Sequence, residues 1–88
     1  MDEVIEKLRI QLDLLTWPDV YLFKFIVPND SEKVARVTAL FNDSADIVMH
    51  PSRNGNYISV SAKEMMLDVN SIVEKYLEAA KIKGLIAL

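Results

Sequence analysis

HPSRNGNYISVSA, residues 50–62, sits at the middle of the 88-residue chain and decides how its two halves are joined. Glycine adopts positive φ at little cost and asparagine tolerates it better than most residues, so Asn54-Gly55 predicts the bend of a β-hairpin. Two strands then flank it, over residues 45–51 and 56–64. The same loop admits a second reading, an anion site in which Arg53 and converging backbone N–H groups hold a phosphate or carboxylate. A phosphate-binding Walker motif needs two glycines followed by Lys and Ser or Thr, and a dinucleotide fingerprint needs three glycines; this loop has one.

Upstream, VYLFKFIVP (residues 20–28) is rich in β-branched and aromatic residues and carries Lys24 as its only charge, which predicts a central strand stopped at Pro28. Alternation places Tyr21, Phe23, Phe25 and Val27 on one face and Leu22, Lys24 and Ile26 on the other. Asn29, Asp30 and Ser31 offer capping oxygens, and Asn29 with Glu32 has capping-box spacing. The helix that follows has Val34, Val37, Leu40 and Phe41 along its inner stripe. Downstream, Asp68 is placed to cap a helix whose apolar face runs through Val69, Ile72, Val73, Tyr76, Leu77 and Ala80. Gly84 suits the left-handed end of that helix, and LIAL (residues 85–88) supplies a last short strand.

At the other end, Ile5, Leu8, Leu12 and Leu15 repeat at spacings of three and four, so residues 3–15 predict an amphipathic helix ended by Trp17-Pro18. The expected organisation is an N-terminal helix over 1–16 and an α+β ferredoxin-like domain over 17–88. Its order is βαββαβ, with a four-stranded antiparallel sheet covered by two helices on one face. The other face is expected to be open. It should carry Leu22, Lys24, Ile26, Tyr57, Ser59 and Ser61, with Ile58 and Val60 turned inward.

The residue inventory excludes more than it assigns. With no cysteine there is neither a disulfide framework nor a thiolate metal site, and the acidic start and lack of a long apolar run give no export or membrane signal, so a cytoplasmic location is expected. A net charge of −3 disfavours nucleic acid. A base-stacking sheet also calls for aromatics at alternate positions after the glycine, and here Tyr57 falls out of that register. His50 is the only histidine; with Asp43 and Asp46 it assembles at most a weak hard-cation site, and no nucleophile has an activating base. Met49, Met65 and Met66 read as packing residues, and Glu74, Lys75 and Glu78 as a solvated helix face. No cofactor or metal and no enzymatic activity is expected.

LDLLTWPDVYLFKFIVP (residues 12–28) together with PSRNGNYISVSA (residues 51–62) resembles the YbeD-like family of small bacterial proteins of unknown function. The likeness spans about residues 12–88. It rests on the aromatic-proline segment before the first strand and on the Ser-x-x-Gly-x-Tyr-x-Ser-Val pattern, here Ser52, Gly55, Tyr57, Ser59 and Val60. The resemblance implies a ferredoxin-like fold similar to the amino-acid-sensing ACT domains, and a regulatory role. ACT sites commonly place a glycine in the loop after the first strand, where this chain has Pro28-Asn29-Asp30. The expectation is a non-enzymatic ACT-like regulatory or protein-interaction domain assembling through its open face. That face would be covered by a second copy in a homodimer, by the N-terminal helix, or by an unknown protein partner. The alternative is a sensor of an amino acid or other anion, using Asn29, Asp30, Ser31, Arg53, Asn54 and Gly55.

Overall fold

The structure is a computed structural model that describes residues 2–88, so Met1 of the expected 1–16 helical segment lies outside the described residues. The elements run α1 (Asp2–Asp13), β1 (Asp19–Pro28), α2 (Ser31–Thr38), β2 (Asp46–Pro51), β3 (Tyr57–Met66), α3 (Val69–Ala79) and β4 (Ile86–Ala87). The strands form one antiparallel sheet in the order β2-β3-β1-β4, and the whole is α+β and compatible with a ferredoxin-like fold.

Alternation along β1 falls as its sequence predicts. Phe23, Phe25 and Val27 are buried, whereas Leu22 and Lys24 are exposed. Cross-strand partners share a face, so the register Phe23↔Ala62, Phe25↔Val60 and Val27↔Ile58 builds one continuous apolar layer. Val37 and Phe41 from the α2 region and Ile72 from α3 close over it, joined by Leu12 of α1. Phe23, Phe25, Phe41 and Tyr76 pack with ring centroids 5.3 to 6.3 Å apart, the offset and edge geometries that aromatic quadrupoles favour.

Several local expectations are corrected. Asp30, not Asn29, caps α2: its carboxylate accepts from Glu32 N at 2.9 Å and Lys33 N at 3.2 Å, while the Asn29 side chain donates to the Gly55 carbonyl. Helix α1 ends at Asp13, short of the predicted Leu15. There the Trp17 indole N–H donates to the Leu12 carbonyl at 2.9 Å, satisfying a helix-end acceptor, and Leu15 is exposed. Asp68 caps α3 as expected, but that helix ends at Ala79; Ala79 is buried, and Leu77 and Ala80 are exposed. Met66 is core, whereas Met49 is exposed on the edge strand β2 and Met65 lies at the surface because β3 continues two residues past its predicted end and its alternation turns Met65 outward.

Helix α1 does not cover the open sheet face. It packs against α3, where Arg9 donates to Asn70 at 2.5 Å, and Leu8 and Leu12 join the core on the side of the sheet that carries the helices. An amphipathic stripe seeks apolar surface, and the edge of the aromatic layer at Tyr21 and Tyr76 offers it.

Candidate functional site

Every even-numbered residue of β1 points to the side away from the helices, and the register carries that face across the sheet. Ile26 stands beside Ser59 and Ile86, Lys24 beside Ser61, Leu22 beside Lys63, and Val20 beside Met65. On β2, Val48 extends the Ser61 row, His50 the Ser59 row and Asp46 the Lys63 row. The six predicted face residues therefore do share one surface: Leu22, Lys24, Ile26, Tyr57, Ser59 and Ser61. Sequence reading missed its flanks. Val20, Val48, Met65 and Ile86 join Leu22 and Tyr57 there, all six 42 to 57% exposed, with Val20, Met65 and Leu22 towards one end, Ile86 and Tyr57 towards the other, and Lys24, Lys63, Ser61, Asp46 and Val48 between. Neither Lys24 nor Lys63 enters an ion pair among the described residues.

The two candidate ligand loops are brought together. Asn29 donates through its backbone to the Asn56 carbonyl at 2.9 Å and through its amide to the Gly55 carbonyl at 2.8 Å. Within the hairpin turn, Gly55 N donates to the Ser52 carbonyl, Asn56 N to Asn54 Oδ1, and Tyr57 N to Ser52 Oγ. Gly55 sits at φ 77°, the left-handed geometry the bend requires. Most donors that could hold an anion are thus spent on the turn itself. The Asp30 carboxylate is engaged at the α2 N-terminus, Ser31 begins that helix, and the exposed Arg53 and Asn54 stand over the turn.

A second polar feature lies among the core residues. Glu64 is buried on the inward side of β3, where Oε1 accepts from Asn42 N at 3.1 Å and Oε2 lies 3.5 Å from Lys75 Nζ. No hydrogen-bond donor reaches Oε2 among the described residues. The Lys75 ammonium also donates to the Leu40 carbonyl and lies 5.4 Å from the Phe41 ring centroid. Lys75 is therefore not part of a solvated helix face, as its neighbours Glu74 and Glu78 are. A buried carboxylate demands a cation, and Lys75 reaches back along its alkyl stem to supply one. A cleft of about 430 Å³ opens beside the pair, between Leu40, Met66 and Ser71.

His50 is exposed on the β2 edge and its carbonyl accepts from Ser59 Oγ at 3.3 Å. Among the described residues no three His, Asp or Glu side chains group as a metal site, and no helix is long and apolar enough to cross a membrane.

A family model described as "Protein of unknown function (DUF493)" matches residues 13–86, nearly the span of the YbeD-like resemblance. No curated protein and no solved structure matches.

Proposed function

We propose that this chain, which belongs to the DUF493 (YbeD) family of unknown function, is a protein-interaction domain that pairs with a second copy of itself through the open sheet face. One observation carries the reading: α1 packs on α3, so none of the described residues covers the exposed band formed by Val20, Leu22, Val48, Tyr57, Met65 and Ile86. Contiguous apolar surface of this kind favours burial at about 25 cal/mol per Å².

Two further considerations favour a second copy as the occupant. The face carries both signs of charge, Lys24 and Lys63 against Asp46, so it can meet itself across a two-fold axis without uniform repulsion. Its extent is also adequate. Two ten-residue strands, one of six and one of two, at rises near 3.3 Å and spacings near 4.8 Å, give a platform on the order of 500 Å². Two copies then bury roughly 1,000 Å², the threshold for a specific interface, which fits a reversible dimer of about micromolar affinity rather than an obligate one.

Within this reading the topology is the ferredoxin-like βαββαβ unit preceded by a helix, its kinship is ACT-like, its location is cytoplasmic, and its role is regulatory assembly rather than catalysis. Sedimentation velocity over a hundredfold concentration range provides the test. The expected result is a weight-average mass that rises from monomer towards dimer, and a monomer at every concentration once Ile26 or Tyr57 is replaced by Asp. A wild-type monomer throughout, or a dimer indifferent to both substitutions, would refute the proposal.

A further inference from the structure

Where α1 meets the body of the protein, it leaves a cleft of about 500 Å³ walled by Ile5, Leu8, Tyr21, Tyr76, Ala80 and Leu85. That volume lies within the range of small-molecule sites, which are mostly apolar with a few polar groups that fix orientation. Among the described residues, none of the lining side chains is charged. The polar groups are two phenols, Tyr21 and Tyr76, whose hydroxyl oxygens are 2.9 Å apart.

The proton count of that pair defines what the cleft can recognise. Two hydroxyls carry two hydrogens, and one of them forms the bond between the oxygens. No other hydrogen bond engages either oxygen among the described residues, so one O–H is left to donate. Burial, with the hydrogen bond shared with Tyr21 second, pushes the Tyr76 phenol well above its ordinary value of 10.0, so Tyr76 holds its proton at neutral pH. A carboxylate brought into this cleft would lose its hydration and find no cation in return, whereas an uncharged carbonyl oxygen needs only the one donor on offer.

We propose that this cleft binds a neutral, largely apolar small molecule, held by one carbonyl oxygen that accepts the hydroxyl proton left free by Tyr21 and Tyr76. The site is separate from the open sheet face: it lies in the helical layer, on the opposite side of the sheet.

The probe is prodan, a neutral ketone dye whose emission moves to the blue in apolar surroundings, titrated into the full chain. A saturable one-to-one blue shift is expected, with amide shift changes at Leu8, Tyr76 and Leu85 rather than at Leu22 and Tyr57. Either Tyr21→Phe or Tyr76→Phe alone should leave most of the affinity, because the surviving hydroxyl retains its proton. The double variant should lose about tenfold, the worth of one hydrogen bond. Ala80→Phe, which fills the cleft from an exposed helix end, should abolish binding. The proposal is overturned by an absent or unsaturable shift, by amide changes confined to the open face, by undiminished binding in Ala80→Phe, or by a folded double variant that binds as wild type. Should the double variant fail to fold, Ala80→Phe and the amide map still decide.

Discussion

Gly55 and Gly84 both hold positive φ, at 77° and 83°, but their surroundings differ. A Cβ built on Gly55 meets nothing within 4 Å, so Gly55→Ala should cost only the left-handed strain of an L-residue, about 1 kcal/mol. On Gly84 the same atom would lie 2.9 Å from Pro28 Cγ, at the junction of β1 with the segment leading into β4. Gly84→Ala should therefore cost about 2 to 4 kcal/mol, strain plus overpacking. Urea midpoints of the two variants test this, and equal losses would contradict it. Asp68 gives a pH prediction at the same scale. Hydrogen bonds from the Ser71 backbone, then from its side chain, hold the Asp68 carboxyl below its ordinary value of 3.8. A depressed pKa contributes stability that is present above the unfolded value and lost as pH falls through the folded one. Melting temperatures should accordingly fall more steeply for wild type than for Asp68→Asn as the pH drops below 3.8, since asparagine caps without titrating. Parallel profiles would show that the cap has no part in acid unfolding.

Between elements, the Glu64 to Lys75 pair joins β3 to α3 and to the turn after α2, through Asn42 N and the Leu40 carbonyl. Removing the cation strands a buried carboxylate, so Lys75→Met should cost about 3 kcal/mol, the low end for such pairs because the lysine is 20% exposed. Glu64→Leu with Lys75→Met removes both charges and should recover most of that loss. Additive losses in denaturant unfolding would show that the two residues act independently. This pair was legible only in part. Helical periodicity sorts Lys75 with Glu74 and Glu78, since a lysine that curls inward leaves the same pattern as one that does not. Glu64, by contrast, follows Val60 and Ala62 on the inward side of β3, and a charge on that parity is the signal that a buried partner must exist. Capping was readable as a region rather than a residue: Asn29, Asp30 and Ser31 all offer oxygens, and the pull of Gly55 on the Asn29 amide leaves Asp30 as the cap. The end of α1 depends on the Trp17 indole folding back onto Leu12, a contact no spacing rule contains.

Across the whole molecule, the hairpin at Asn54-Gly55 and the strict alternation of β1 make the element order and the two sheet faces readable from the chain alone. The seat of α1 is not readable in that way. Its stripe of Ile5, Leu8 and Leu12 specifies apolar contact without saying with what, and the open face through Leu22 and Ile26 and the helical layer at Tyr21 and Tyr76 both answer the description. The helical layer offers a deeper, partly enclosed surface, and Arg9 finds Asn70 there. That choice leaves the sheet platform bare, and from it the proposed self-association follows. The platform extends further than the sequence suggests because Val48 and Ile86 enter it through strand register, which no single strand reveals, while Met65 lies just past the expected end of β3 and Val20 shares the parity of Leu22. The most direct measurement is an isotope-filtered NMR experiment on a mixture of labelled and unlabelled protein, which detects only contacts between copies. Pairing through the sheet face predicts intermolecular methyl contacts among Leu22, Ile26, Met65 and Ile86. Contacts confined to α1 and α3, or their complete absence at millimolar concentration, would contradict it.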